Sequence, residues 1–385
     1  MNCKIIYILS ICCTNICYAQ SSRAWVSLYD AEKELTGYKD LKGNIKIPAK
    51  FNSPTQADTF YNIIAVNELL ADSSFDLYYL LKDGRKVGRD SMYMFDFTFD
   101  CEQEGKILFQ DKKKNRVGFF DKNGNVAIPA MYNYALPFHN GLTIARRNAK
   151  RKCLEGKDTL HCEHVGWDGG ETILINESNE VLADSVDTDL NSINWYSFKI
   201  NDTNIDTSTS VIIKGNNGNT YSFTDYEKEF TQWFYSGFLP AINSSDNNKL
   251  KQLLFQKVTY MERGKSRTSI SRNMFLQSFP AVITRERFRL NETKELYISR
   301  DDLSGLIVEQ KEYRQFFNSC GGHNAAVYPV FSVLLEYYKK RAKPLAPESP
   351  VSAGAVDISK YETDHQESFD FIRTEQGYKL LSISL

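Results

Sequence analysis

The sequence lacks an excess of charge of either sign. Its 47 lysines and arginines nearly balance its 48 aspartates and glutamates, and neither sign forms a long run. A nucleic-acid-binding protein carries a basic patch or stripe, and a protein that binds a membrane surface usually carries a basic face. The composition therefore does not indicate a nucleic-acid or membrane-surface partner.

The sequence also lacks an apolar run long enough to cross a bilayer. The apolar run at residues 5–16 is shorter than the roughly 20 residues that a transmembrane helix needs. Lys4 precedes this run, and a small residue, Ala19, follows it closely. Because this order is typical of a secretory signal peptide, we predict cleavage after Ala19 and a mature protein in the periplasm or outside the cell. Residues 1–19 are then excluded from the fold.

Cysteines are scarce in the mature chain. Four of the eight fall in the signal peptide, and isoleucine precedes both Cys12 and Cys17. A lipid anchor needs a small residue just before the modified cysteine, so an anchored protein is less favoured than a free one. The cysteines that remain are Cys101, Cys153, Cys162 and Cys320.

Cys153 and Cys162 are close in sequence, and an exported protein meets an oxidising compartment. We predict that they close a disulfide hairpin. His161 and His164 flank Cys162, so a zinc site and two free thiols remain alternatives. The sequence leaves the pairing of Cys101 and Cys320 open.

The sequence shows no clear catalytic, cofactor-binding or metal-binding motif. No Gly-rich phosphate loop follows a predicted strand, and no paired cysteine motifs have zinc-finger spacing. Cys320 and His323 could serve as a nucleophile and its base, but the glycines between them favour a turn. We predict no catalytic residue, no cofactor and no metal. The alternative acid–base candidates near the carboxyl terminus are Asp301, Asp302, Glu312, Tyr313 and His365.

What the sequence does contain is a unit of about 30 residues, best seen at residues 116–147. The pattern predicts a strand at 117–121, a tight turn at Asn123 and Gly124, and a returning strand that Pro129 ends. Aromatic and small apolar residues follow, then a second turn and a third strand at 142–145. One such unit buries too few side chains to offset the loss of backbone entropy, so we expect it to stack on other copies.

Further copies of this unit are recognisable at a spacing of about 40 residues. The copy at 37–66 matches the copy at 117–147 with an offset of 81 residues at Gly37, Pro48 and Phe51. Looser copies lie near 80–109, 172–185 and 211–223, and residues 150–170 are an insertion. The turn and core residues of the copies are Gly43, Pro48, Gly84, Gly118, Asn123, Gly124, Pro129, Tyr132, Phe138 and Gly141.

These copies resemble the WG repeat of bacterial proteins. The likeness lies in the order of Gly, an aromatic residue, Asp-Lys, Gly and Ile-Pro, and it covers roughly residues 25–223. Thr36 and Val117 stand where the family has tryptophan. The resemblance implies a mainly β repeat array that acts as an interaction or structural module and has no shared reaction.

From residue 224 the apolar spacing changes to that of helices. The pattern predicts helices beginning at Thr224 and at about 247–255, 271–283 and 327–341, and strands at 257–262, 287–291, 295–299 and 303–310. A mobile loop is expected at 343–356 and a closing hairpin at 369–383. This α+β domain, 224–385, resembles the cone of the nuclear-transport-factor-2-like superfamily.

The sequence thus favours an exported, non-catalytic scaffold in the cell envelope that binds a protein or an envelope polymer. The predicted binding surface comprises His139, Asn140, His161, His164 and Trp167, with the loop tip at Asn123. The alternative is small-molecule binding or hydrolysis in a pocket of the carboxyl-terminal cone.

Overall fold

The computed structural model describes most of the chain after the predicted signal peptide. The described residues are 24–52, 57–95, 98–153, 155–156, 162, 165–186, 192–243, 247–278, 281–303, 311–342, 356–357 and 359–385. The signal peptide, nearly all of the loop predicted at 343–356, and most of the strand predicted at 303–310 lie outside them. No helix in these ranges has the length and apolar character needed to cross a membrane.

The chain divides into two compact units. The first comprises Met1–Thr188, Ile213–Thr220 and Phe317–Gly322. The second comprises Asp189–Ile212, Tyr221–Phe316 and His323–Leu385. The segment Phe317–Gly322 therefore belongs to the first unit although the sequence on both sides of it belongs to the second.

The first unit is built almost entirely of short antiparallel strands. Its described strands are β1 Trp25–Asp30, β2 Leu35–Asp40, β3 Ile45–Asn52, β4 Thr59–Phe60, β5 Ile63–Leu69, β6 Phe75–Leu81, β7 Lys86–Val87, β8 Met94–Phe95, β9 Thr98–Phe99, β10 Lys106–Asp111, β11 Arg116–Asp121, β12 Val126–Tyr132, β13 Tyr134–Ala135, β14 Leu142–Arg147, β15 Lys150–Cys153, β16 Val165–Asp168, β17 Glu171–Asn176 and β18 Val181–Ala183.

These strands form several small sheets rather than one large one. Among the described residues the orders are β4-β1-β2-β3-β5-β6-β7, β10-β11-β12, β13-β14-β17-β18, and the pairs β8-β9 and β15-β16. The hairpins β2-β3, β6-β7, β11-β12 and β17-β18 recur along the chain, and the strand that comes before each hairpin in the chain or ends the preceding copy pairs with its first strand. The strand–turn–strand order predicted for the copies is confirmed.

One detail of the predicted hairpin is wrong. Pro129 does not end its strand, because β12 continues through it to Tyr132. The register shifts here, from Phe119 opposite Ile128 to Val117 opposite Tyr132. Pro129 therefore lies at an irregularity of the ladder, where its missing N–H group costs no hydrogen bond. Pro48 lies inside β3 at the matching irregularity.

The core of the first unit is shared between successive copies. Along β5, Ile64 and Val66 pack into one apolar cluster, whereas Ile63 and Ala65 pack into another on the opposite face. A strand that is buried on both faces needs apolar residues at every position, which explains the uninterrupted run of β5. Tyr79 on the neighbouring β6 joins the second cluster.

The second unit contains most of a three-stranded sheet, a larger mixed sheet and short helices. The order β19-β21-β20 describes the first sheet and β23-β22-β27-β26-β25-β24 the second, with β22 parallel to β27. The described strands are β19 Ile193–Ile200, β20 Ser210–Lys214, β21 Thr220–Asp225, β22 Leu254–Met261, β23 Thr268–Ser271, β24 Lys294–Asp301, β25 Val330–Lys340, β26 Tyr361–Thr374 and β27 Gly377–Ser384. The α-helices are α1 Tyr226–Trp233, α2 Leu239–Asn243, α3 Asn247–Leu253 and α4 Arg272–Ser278.

Irregular helices complete this unit. A π-helical turn, Phe234–Phe238, follows α1, and 3-10 turns occupy Arg285–Phe288 and Lys311–Phe316. The N-cap of the first helix is Asp225, one residue after the predicted Thr224, because the Asp225 carboxylate accepts the N–H groups of Glu227 and Lys228. Aspartate is a strong N-cap, so the nearer acidic residue defines the start.

Two predictions for the second unit are wrong. Most of the residues predicted as a helix at 327–341 form β25, which pairs with β26 along its whole length and with β24 from Val330 to Tyr337. Its β-branched and aromatic side chains suit a strand, and the lysines at its end reflect exposure and not a helix dipole. The strand predicted at 287–291 is the 3-10 turn Arg285–Phe288, which places Phe288 in the core. The predicted closing hairpin is confirmed as β26 and β27.

Aromatic rings fill the core of the second unit between its helices and the large sheet. Phe230 of α1 stacks on Phe331 of β25 with ring centroids 4.5 Å apart, and Phe238 meets Phe371 at 4.9 Å. Tyr378 adds a hydroxyl that donates to the Glu229 carboxylate at 2.8 Å. These aromatic residues form the core of the second unit.

Candidate functional site

The first feature that the copies share is a close approach of two backbones. A Cβ atom placed on Gly37 would lie 2.4 Å from the Ile47 carbonyl oxygen, and one on Gly118 would lie 2.4 Å from that of Ile128. Both contacts involve backbone, which cannot rotate away. Glycine is therefore required here by packing, and the requirement is the same in both copies.

The second shared feature is the hairpin turn. The Asp40 carboxylate accepts the N–H groups of Lys42 and Asn44 at 3.0 and 2.9 Å. Asp121 accepts those of Asn123 and Asn125, both at 2.8 Å. Burial alone would raise the pKa of Asp121, but these donors hold it below its ordinary value.

The turn ends on a residue with positive φ in each hairpin. Gly43, Gly84 and Gly124 have φ of 91°, 89° and 79°, and Asn179 has 63°. Asparagine tolerates this conformation better than other residues with a side chain. The substitution of asparagine for glycine in the fourth copy therefore preserves the turn.

Glutamates of the second copy bind the loop tips of its neighbours. The Glu102 carboxylate accepts the backbone N–H groups of Asn62 and Ile63 at 2.7 and 3.0 Å. Glu104 accepts those of Asn140 and Gly141 at 2.7 and 2.9 Å. Burial raises the pKa of Glu102. Each carboxylate fixes a loop that belongs to another copy.

Side chains and strand pairs join the later copies as well. The Tyr132 hydroxyl donates to the Asn179 side-chain oxygen at 2.6 Å, which connects the third copy to the fourth. Strand β14 of the third copy pairs with β17 of the fourth over its full length. Successive copies thus share sheets, cores and polar contacts.

Residues 118–150 match the family model of the WG containing repeat. This segment is therefore similar to a WG containing repeat. A comparison with curated proteins gives no match. The matched segment includes the packed Gly118, the turn at Gly124 and the third strand β14.

The residues that replace the family's tryptophan are buried in this chain. Thr36 is 4% exposed and Val117 is 2% exposed. Val117 belongs to the same apolar cluster as Phe119 and Tyr132. The position thus stays in the core although its side chain is smaller.

The predicted surface residues of the WG repeat differ in exposure. Asn123 and Asn140 are exposed at loop tips, whereas His139 is partly buried. Burial lowers the pKa of His139, and the charge of Glu104 acts in the opposite direction. Asn140 and Asn123 are therefore the more accessible contact points, and His139 helps to form the loop.

The insertion after the WG repeat is a small disulfide hairpin. Cys153 and Cys162 are joined, with Cα atoms 5.7 Å apart, and β15 pairs with β16. Trp167 lies on β16 and is partly exposed. The sulfurs of this disulfide lie within 4.8 Å of a carboxylate oxygen of Glu155, a grouping that a metal could use only if the bridge were reduced. His161 and His164 lie outside the described residues.

Cys320 is not a free thiol. It forms a disulfide with Cys101, at a Cα distance of 5.7 Å, inside the first unit. Next to it, the Ser319 carbonyl accepts the Thr59 N–H group at 2.9 Å, and the Ser319 hydroxyl donates to the Glu102 carbonyl at 2.8 Å. The Cys–His interpretation of SCGGHN therefore fails, because its thiol is consumed.

The acid–base candidates of the second unit do not assemble. His323 lies 3.1 Å from Asp302, but its other ring nitrogen is bound to the Tyr328 carbonyl at 2.7 Å. Tyr313 is fully buried and His365 stacks on Tyr337 at 4.2 Å. Among the described candidates, only His323 and Asp302 have side chains that pair with each other. Asp301, Tyr313 and His365 are not part of this pair. The side chain of Glu312 lies outside the described residues.

Sequence reasoning missed Glu102, Glu104 and the long disulfide. These residues cluster in the run DCEQEG at 100–105. The run gives no local signal for these contacts, because the partners of Glu102, Glu104 and Cys101 are 36 to 219 residues away. The one sequence signal for these contacts is the presence of two glutamates next to Cys101.

Asp100, in the same run, is expected to make the stability of the protein depend on pH. Burial raises the pKa of Asp100 to about 6. The Leu108 N–H group donates to its carboxylate at 2.8 Å and opposes this rise only in part. The folded state therefore binds this proton more tightly than the unfolded state, and stability falls as pH rises from about 4 to about 6. At pH 7.5 we expect Asp100→Asn to raise the free energy of unfolding by about 2 to 3 kcal/mol.

Denaturant titrations of the wild type and Asp100→Asn at pH 4 and pH 7.5 measure this effect. The difference between the two proteins should appear only at the higher pH. Asp83→Asn, an exposed turn residue, is the matched control and should show no gain at pH 7.5. A gain from Asp100→Asn that is equal at both pH values would contradict the assignment.

Proposed function

We propose that the chain is an exported, non-catalytic scaffold in a bacterial cell envelope, with a β repeat array that presents loop tips to a protein or an envelope polymer. The supporting observation is the repeated geometry of the copies at 37–66 and 117–147. Identical glycine contacts, identical turns and shared cores make a rigid support for exposed loops. Rigid supports with variable loops are common in binding proteins.

Export is part of this proposal. It is supported by the sequence order around Ala19 and by the disulfides Cys101–Cys320 and Cys153–Cys162, since disulfides persist in oxidising compartments. Mass spectrometry of the protein recovered from the periplasm or the medium should give a mature chain that begins at Gln20. An uncleaved chain confined to the cytoplasm would oppose the proposal.

The binding role is tested at the exposed loop tip Asn123 and at Trp167 on β16. We expect the mature protein to recover a partner from an envelope extract, and the combined variant Asn123→Lys and Trp167→Ala to lose it. Lys113→Ala, at another exposed turn, serves as the control that should bind normally. A partner retained by the loop-tip variant, or recovered by neither protein, would count against this surface.

The alternative was a hydrolytic or ligand-binding pocket in a cone resembling the nuclear-transport-factor-2-like superfamily. The element order of the second unit, in which helices precede a curved sheet that includes the strand at 330–340, supports such a likeness. Aromatic rings occupy the space between helices and sheet, and the acid–base candidates do not converge there. The proposal therefore assigns no catalytic residue to this unit.

A further inference from the structure

The second unit has a cavity that the scaffold proposal does not use. It opens where β22 and β27 begin and has a volume of about 200 Å³. One water molecule needs only about 10 to 15 Å³, so the cavity can hold a small organic molecule. Neither His365 nor Asp302 lines it.

Two cations face this cavity. Arg272 of α4 and Lys379 of β27 both line it. The Lys379 ammonium donates to the Gln252 carbonyl at 2.5 Å, and burial together with the Arg272 charge lowers the pKa of Lys379. Within the described part of the chain, neither cation forms an ion pair with a carboxylate. Two adjacent positive charges that form no ion pair favour an anionic ligand.

The other walls supply apolar and amide surface. Phe316 meets Phe255 at 5.7 Å and Tyr328 at 5.1 Å, which makes a continuous aromatic wall. The side chains of Gln256 and Gln376 add amide donors and acceptors. Glu375 also lines the cavity and can accept a hydroxyl. Aromatic faces pack against the apolar face of a ring, and amides bind hydroxyl groups.

We propose that this cavity binds a small sugar acid. Its carboxylate pairs with Arg272 and Lys379, its hydroxyls bind the glutamine amides, and its ring lies against the aromatic wall. A simple inorganic anion would contact only Arg272 and Lys379. A neutral sugar would leave the charges of both side chains without an anionic partner. The size and the mixed lining fit a monosaccharide that carries one carboxylate.

Isothermal titration calorimetry of the full mature protein with D-glucuronate, D-glucose and inorganic phosphate tests the proposal. We expect glucuronate to bind and glucose to bind at least tenfold more weakly. Arg272→Gln and Lys379→Gln should each weaken glucuronate at least tenfold, because each removes a charge-assisted hydrogen bond. Arg263→Gln, a cation outside the cavity lining, should bind like the wild type.

Other outcomes overturn the proposal. Phosphate that binds as tightly as glucuronate would show a plain anion site, and glucose that binds equally well would show that the cations are not used. No heat with any ligand would also refute it, provided that thermal unfolding shows the wild type to be folded. Because this test concerns the second unit alone, its failure leaves the loop-tip test of the repeat array untouched.

Discussion

Replacing both Cys101 and Cys320 with serine is expected to lower the free energy of unfolding by about 5 kcal/mol in the chain-entropy model. The bridge closes a loop with a sequence separation of 219 residues, so it removes much freedom from the unfolded chain. It also holds Ser319, whose backbone and hydroxyl bind Thr59 and Glu102. Guanidinium unfolding under oxidising conditions measures the loss.

The second disulfide is the matched control for this prediction. Cys153 and Cys162 are separated by 9 residues, so replacing both is expected to cost about 2.5 kcal/mol. The two double variants differ in loop length but not in chemistry. Equal losses for the two, or a smaller loss for Cys101 and Cys320, would show that the long bridge does not constrain the unfolded chain.

Gly118→Ala is expected to destabilise the first unit by about 3 kcal/mol or more. The new Cβ would lie 2.4 Å from the Ile128 carbonyl oxygen and 2.7 Å from the Ala130 nitrogen, so a strand must shift. Gly37→Ala meets the same contacts at Ile47 and Ala49 and should cost about as much. Thermal and denaturant unfolding report both values.

Gly43→Ala separates packing from backbone conformation. Gly43 has φ of 91° but no atom within 4 Å of an added Cβ. Alanine there should cost only about 1 to 2 kcal/mol, from the left-handed backbone alone. If Gly118→Ala were no more harmful than Gly43→Ala, the close approach of the two strands would not be a structural requirement.

The local parts of this fold could be predicted from the sequence. The hairpin at Asn123 and Gly124 follows from the preferences of the turn residues, and the closing hairpin at Gly377 follows from the same signal. The offset of 81 residues then relates the first copy to the third without any structure. Short-range rules decide these features.

The errors arose where local signals compete. Residues 330–340 have enough apolar residues to fit a helical period, but pairing with β24 and β26 on both sides favours a strand. Pro129 stops a regular strand, yet an irregular ladder accommodates it. For 330–340 the decisive partners lie far away in the sequence, whereas for Pro129 the deciding feature is the register shift within its own hairpin.

Most of the candidate site also depends on distant partners. The loop tips Asn123 and Asn140 could be predicted, because turn residues mark exposed loops. The glutamates that hold Asn62 and Asn140, and the partner of Cys320, could not, since the contacts join segments 36 to 219 residues apart. The cavity beside Arg272 and Lys379 likewise needs the tertiary fold to bring α4 and β27 together.

The central claim is that single copies are unstable and become rigid only through their neighbours. Limited proteolysis of an isolated fragment of residues 37–66, beside the same segment in the full chain, measures this directly. We predict that the fragment is digested at the rate of an unfolded peptide, whereas the segment is protected in the intact protein. A fragment that resists the protease by itself would contradict the claim.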